Sequence, residues 1–304
     1  MKRRVDGVLL LDKPAGMTSN AALQRVKRLY QAAKAGHTGT LDPFATGLLP
    51  ICLGEATKFA HTLLTADKTY RAVIRLGVRT TTGDPEGAVI ATRPVAVTEP
   101  QVRALLPRFT GAIEQTPPMH SAIKRGGRPL YEYARQGLQL ERQPRRVMVY
   151  RLELLELTGE YLGLLVHCGK GFYVRTLADE LGEALGCGAH LHALTRLAVD
   201  GLRLEAATGL AELEAMPTPD RLQRLLPTDA LLQALPRLEL GAEAAWQLSQ
   251  GQAIWHPGLR VGEQMRAYGP DGRFLGLVEV NEEGKAAPKR LVVRTPAQPD
   301  PTGT

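Results

Sequence analysis

Between Thr18 and Ala33 the apolar residues Ala22, Val26, Leu29 and Ala33 recur at helical spacing, while Gln24, Arg25, Lys27 and Arg28 fall away from that stripe. The pattern predicts an amphipathic helix with a basic face, capped by Thr18 or Ser19. From Tyr70 the period becomes two. Tyr70, Ala72, Ile74, Leu76 and Val78 share one face and Arg71, Arg75 and Arg79 the other, which predicts a strand with Tyr70 facing inward at its start. The turn Gly83-Asp84-Pro85-Glu86-Gly87 leads into an expected hairpin partner, Ala88 to Thr92. Strands are expected at Val147 to Leu157 and Leu162 to Cys168, followed by a helix whose Val174, Leu177, Ala178, Leu181 and Leu185 form an apolar stripe ended by Gly186. Asp200-Gly201 marks a tight hairpin between Ala198 and Leu204, and residues 209 to 235 read as Pro-punctuated helix. Beyond Pro236 a short helix, Ala242 to Ser249, precedes strands with turns at Pro270-Asp271-Gly272 and Glu282-Glu283-Gly284. The Pro-rich tail from Pro296 reads as disordered.

Two stretches follow neither period. Residues 36 to 47, Gly-His-Thr-Gly-Thr-Leu-Asp-Pro-Phe-Ala-Thr-Gly, hold a single carboxylate, Asp42. Pro43 pushes Asp42 toward extended backbone, and Gly36, Gly39 and Gly47 allow turns that other residues resist. A shaped loop around one acid reads as a catalytic site; an isolated Asp-Pro also serves as an ordinary turn or helix cap. Residues 117 to 146 are long, rich in Gly and Pro, and basic. They interleave Lys124, Arg125, Arg128, Arg135, Arg142, Arg145 and Arg146 with Tyr131 and Tyr133, a composition suited to looped RNA. Arg175 falls in the first turn of its helix, where the macrodipole disfavours a cation. A carboxylate partner would offset that penalty, and Glu180 on the same helix is one candidate.

Composition narrows the class. The chain has 304 residues, 44% of them hydrophobic, enough for a large folded domain and a small one. Its net charge of +7 suits a polyanionic partner. Cys52, Cys168 and Cys187 lack the spacing of a disulfide framework or a structural zinc site and read as buried thiols in a reducing cytoplasm. The apolar run Val8 to Leu11 is too short for a signal peptide, and no stretch approaches a membrane span.

The acid loop, continuing as Leu48-Leu49-Pro50-Ile51-Cys52-Leu53-Gly54-Glu55-Ala56-Thr57-Lys58, resembles the signature of the TruB family, the bacterial tRNA pseudouridine-55 synthases. Three further segments agree in order and spacing: the opening Gly7-Val8-Leu9-Leu10-Leu11-Asp12-Lys13-Pro14-Ala15-Gly16-Met17-Thr18-Ser19, the tyrosine motif Asp67-Lys68-Thr69-Tyr70, and the arginine motif Cys168-Gly169-Lys170-Gly171-Phe172-Tyr173-Val174-Arg175-Thr176. The resemblance spans about residues 5 to 295. It implies an α+β fold, with a mainly antiparallel mixed sheet flanked by helices and loops, and a small C-terminal PUA-like β-barrel. The expected organisation is a catalytic domain over 1–235, with residues 117–146 as an RNA-binding thumb, a PUA-like domain over 236–295, and a tail over 296–304.

The resemblance also assigns roles. Asp42 is the catalytic nucleophile, Tyr70 stacks on the uracil or helps remove its C5 proton, and Arg175 pairs with Asp42, an adjacent cation lowering a carboxylate pKa by roughly 1–3 pH units. His37 fills the stack vacated by a flipped base, Tyr173 and Leu194 line the uracil pocket, and Lys124, Arg125, Arg128 and Arg135 contact RNA. Without the resemblance, Tyr70 and the leucines from Leu191 to Leu197 read as core. The implied reaction converts uridine 55 in the T-loop of tRNA to pseudouridine with no cofactor and no metal, in a cytoplasmic monomer without an obligate protein partner. The alternatives are an RNA-binding module or tRNA folding chaperone, and a guide-RNA-dependent pseudouridine synthase.

Overall fold

The computed structural model describes residues 4–293; the expected tail, 296–304, lies outside the described residues. A mixed sheet forms the centre of the molecule, with strands in the spatial order Thr208–Gly209, Gly7–Lys13, Thr46–Leu53, Ala189–Val199, Lys68–Leu76, Tyr161–Cys168, Arg145–Thr158 and Gly111–Gln115. Its neighbours pair antiparallel except at two places, where Thr208–Gly209 runs parallel to Gly7–Lys13 and Ala189–Val199 runs parallel to Thr46–Leu53. Helix Ser19–Leu29, capped by Thr18 through the Ala21 N–H, buries Ala22, Leu23 and Val26 in the main core. Helix Val174–Ala184 buries Leu177, Ala178 and Leu181 in the same core, each buried leucine contributing roughly 1.5–3 kcal/mol.

The period-two strand ends earlier than its pattern. Lys68–Leu76 stops at Gly77, which has φ 82°, and Val78–Thr80 turns away to pair with Val89–Thr92. The Asp200-Gly201 hairpin forms with Asp200 at φ 51°, and Val199 pairs with Leu202.

Two central strands were not legible as strands. Thr46–Leu53 contains Pro50, which lacks the N–H a ladder uses, and so reads as loop. Ala189–Val199 carries bulges between Leu191 and Ala193 and between Arg196 and Ala198, and each bulge shifts the alternation by one residue. That irregular strand places Arg196 opposite both Tyr70 and Gly47.

The C-terminal segment forms helix Ala242–Ser249 and four strands in the order Arg237–Glu239, Gln264–Tyr268, Phe274–Val280 and Ala286–Leu291. Among the described residues this sheet is open where a barrel was expected, with one isolated bridge from Ile254 to Ala286. It packs onto the main body through Phe59 against Phe274 at 5.5 Å, and Lys58 and Glu55 bond the main chain of Leu291 and Val293. A buried Arg266–Asp229 pair at 3.2 Å adds to the seam. Among the described residues no helix is long and apolar enough to cross a membrane.

Candidate active site

The acid loop is clamped on both sides of Asp42. The Leu41 N–H donates to Ser19 Oγ at 2.8 Å, and Ser19 Oγ donates to the Leu41 carbonyl at 2.9 Å. Lys13, fully buried, donates from Nζ to the carbonyls of Pro14, Met17 and Pro43 at 2.8, 2.7 and 3.3 Å. Burial pushes its ammonium down to about 8, with the Asp42 charge working the other way. Arg196, 1% exposed, donates to the carbonyls of Gly39 and Leu48 at 3.1 and 2.7 Å. Asp42 does form a turn, its carbonyl accepting from the Ala45 N–H at 3.1 Å with Pro43 next in sequence, but its side chain is left for another partner.

That partner is Arg175. Its Nε lies 3.1 Å from Asp42 Oδ2 and its Nη2 3.4 Å from Oδ1, a two-point contact that fixes the plane of the carboxylate. The same guanidinium reaches Asp84 through Nη1 at 3.3 Å and donates to the His120 carbonyl at 2.7 Å. Two carboxylates therefore face the cation at its unfavourable position in the first helical turn, and neither is Glu180.

The direction of the Asp42 shift corrects the expectation. Burial raises its carboxyl above the ordinary 3.8; Arg175 pulls it down, Asp84 pushes it up, and Lys13 and His120 pull it down more weakly. Arg175 thus acts in the expected sense and is outweighed by loss of water.

The other expected residues converge on the same region to different degrees. Tyr70 is partly buried, and burial raises its phenol, with Arg196 opposing. Tyr173 immediately precedes the Arg175 helix, its main chain bonded twice to the Gln115 side chain at 3.0 and 3.3 Å. The Asp42 charge acts on both phenols. Leu194 is buried in the main core, with its carbonyl accepting from Thr46 Oγ1 at 3.4 Å. The Gly39 N–H donates to His37 Nδ1 at 3.3 Å, which assigns the ring proton to Nε2, and burial lowers the imidazole, keeping it neutral.

Residues 117–146 stand against this body as a hairpin, Lys124–Arg125 with Arg128–Pro129, followed by the short helix Leu130–Arg135. Lys124, Arg125, Arg128 and Arg135 are exposed. Arg128 lies over Tyr133 at 5.1 Å and Arg135 over Tyr131 at 5.2 Å, so rings and cations are presented together. A cleft of about 500 Å³ separates this segment from the body, lined by Thr82, His120, Arg142 and Arg175 among others.

Asp84, Arg196 and the His120 carbonyl were missed. Asp84, like Asp42, precedes a proline in a glycine-bounded turn, and the fold leaves it nearly buried at 3% exposure. It uses that turn, accepting from Thr82 Oγ1 and from the Glu86 N–H, to face Arg175. Among the described residues no cluster of His, Cys, Asp and Glu suited to a metal is found.

The loop aspartate gripped by a buried arginine lies in a chain whose comparisons define a pseudouridine synthase. The profile of the TruB family pseudouridylate synthase N-terminal domain matches residues 27–174, that of the tRNA pseudouridylate synthase B C-terminal domain residues 175–233, and that of the pseudouridine synthase II TruB C-terminal region residues 236–292. The tRNA pseudouridine synthase B of Dechloromonas aromatica is 54% identical, covering 95% of this chain and 96% of its own. That of Aromatoleum aromaticum is 56% identical, covering 96% and 94%. A crystal structure of a Cbf5-Nop10-Gar1 complex matches with a TM-score of 0.71 at 26% identity, covering 95% of this chain and 84% of that one. The chain belongs to the TruB family of pseudouridylate synthases.

Proposed function

We propose that the protein isomerises uridine 55 in the T-loop of tRNA to pseudouridine, with Asp42 as the nucleophile. The observation that carries the reading is the Asp42 carboxylate held in a clamped loop by two nitrogens of a buried arginine, at the foot of an exposed basic segment. The reaction breaks the bond from ribose C1′ to uracil N1 and makes one from C1′ to C5. One carboxylate suffices because the uracil is kept, whereas a glycosidase needs a second carboxyl to protonate a group that departs. A uridine stacked in an RNA loop must first be flipped out, at a cost of a few kcal/mol, and neutral His37 supplies a flat ring to the vacated stack. Tyr70, Tyr173 and Leu194 line the pocket that receives the base, and Tyr70 stacks on it or helps remove its C5 proton.

Residues 117–146 act as the RNA-binding thumb of a catalytic domain over 1–235, with Lys124, Arg125, Arg128 and Arg135 on the RNA. Residues 236–295 serve as a PUA-like RNA-binding unit. The enzyme works as a cytoplasmic monomer without guide RNA; relatives named tRNA pseudouridine synthase B cover this chain almost end to end, and three buried free thiols suit a reducing compartment. The test is to incubate the purified protein alone with a T-arm stem-loop transcript and map pseudouridine in the product. Modification at the position equivalent to 55 is expected. No product unless a guide RNA or protein partner is added would overturn the stand-alone reading.

A further inference from the structure

Arg196 meets the acid loop at three points outside the Arg175 pair. Its guanidinium bonds Gly39 before Asp42 and Leu48 after it. Its main chain presses on Gly47, where any side chain would collide with the Arg196 carbonyl. In the sheet it stands opposite Tyr70, and its charge opposes the rise that burial imposes on the Tyr70 phenol. A side chain 1% exposed that carries a full charge normally has a carboxylate for company. Among the described residues Arg196 has none within salt-bridge distance, and its bonds go to carbonyl oxygens instead. An uncompensated buried cation is costly, so its retention calls for a use that a neutral packing residue would not serve.

We propose that Arg196 is a positioning residue for the isomerisation: it ties both sides of the acid loop to the strand position opposite Tyr70, so that the carboxylate and the phenol are held in one rigid frame. This rests on the roles given above to Asp42 and Tyr70. The positive field of Arg196 is felt across the site, at Lys13, His37, Lys68 and Tyr70. The charged or titratable groups acting on Tyr70 are Arg196 from the facing strand, Cys168 from the strand on its other side, and Asp42 from the loop. Arg196 is the cation among them, and it alone favours the ionised or hydrogen-bond-accepting phenol.

The test has one arm that needs no turnover. Trifluorotyrosine, whose phenol titrates near neutral pH, is placed at position 70 and followed by fluorine NMR in the full chain with Arg196 intact and in Arg196→Gln. Loss of the neighbouring cation should raise the titration midpoint by at least about one pH unit, a ten-fold change in acidity. An unchanged midpoint in a folded variant would overturn the proposal. The second arm uses Arg196→Lys, which keeps the charge but loses the planar fork. Its single-turnover rate at saturating transcript should fall at least about ten-fold with RNA affinity and melting temperature near those of the parent, since misplaced groups cost rate before they cost fold. A normal rate, or a loss explained by unfolding, would return Arg196 to a purely structural part. If the parent makes no pseudouridine, the reaction itself has been misread, and the fluorine arm still decides whether Arg196 governs Tyr70.

Discussion

Lys13 and Arg196 lie under the acid loop with 0% and 1% of their surface exposed and give their hydrogen bonds to main-chain carbonyls. Lys124, Arg125 and Arg128, in the basic segment across the cleft, are exposed, and the Arg128 ion pair with Glu132 at 3.4 Å is a surface pair of little strength. The same residue types do opposite work. A cation without water fixes the positions of the atoms that ligate it, and its removal disturbs geometry. A hydrated cation on a loop is free to exchange its counterions for phosphate, and its removal weakens binding while leaving the carboxylate where it was.

The sharpest way to break this contrast is at Asp42 itself. Asp42→Asn should lower the single-turnover rate by at least about 1,000-fold, because it removes the proposed nucleophile, while transcript affinity stays within a few-fold. A rate near that of the parent would remove Asp42 from the chemistry. Arg175→Lys comes next: an ammonium cannot grip both carboxylate oxygens in one plane, so the rate should drop by roughly 100-fold, and thermal melts should show a much smaller effect.

Asp84→Ala probes stability on the buried side. It leaves Arg175 with one carboxylate instead of two, and since Asp84 and Arg175 are both nearly buried, denaturant unfolding should report a loss of about 3–5 kcal/mol. Acid pH tests the site more gently. The raised Asp42 carboxyl means that the folded protein holds this proton to higher pH than the unfolded chain, so ionising it costs stability, a cost absent below the ordinary 3.8 and complete once pH exceeds the folded value. The single-turnover rate should therefore fall on acidification with a midpoint above 3.8, and a midpoint at or below it would show that Arg175 outweighs burial. The smallest effect is expected at the exposed cations. Replacing Lys124, Arg125 and Arg128 with Ala should flatten the salt dependence of RNA binding by roughly 0.7–0.9 in log–log slope for each phosphate no longer neutralised, without altering the rate at saturation.

What could be read from the chain divides along a similar line. Helix Ser19–Leu29, helix Val174–Ala184 and the Asp200-Gly201 hairpin follow from local signals, because their apolar stripe, cap or turn residues sit within a few positions of one another. Strand Ala189–Val199 does not, since its bulges break the period and its place in the sheet depends on partners more than a hundred residues away. The meeting of Asp42 and Arg175 was legible only because the family resemblance joined distant motifs. Asp84 went unread because Asp-Pro between glycines is the composition of an ordinary turn, and only the folded chain shows that the turn faces inward to a guanidinium. Arg196, placed among leucines, carried no local sign that its charge would be stripped of water.

The His120 carbonyl belongs to the basic segment yet is bonded at 2.7 Å to the guanidinium that holds Asp42. Occupancy of that segment and the proton on Asp42 are therefore linked variables. Any RNA that draws His120 away from Arg175 changes the proton affinity of Asp42, and by thermodynamic reciprocity a proton on Asp42 changes the RNA affinity by the same factor. Measured against pH, the binding isotherm of this enzyme should carry the signature of the Asp42 proton.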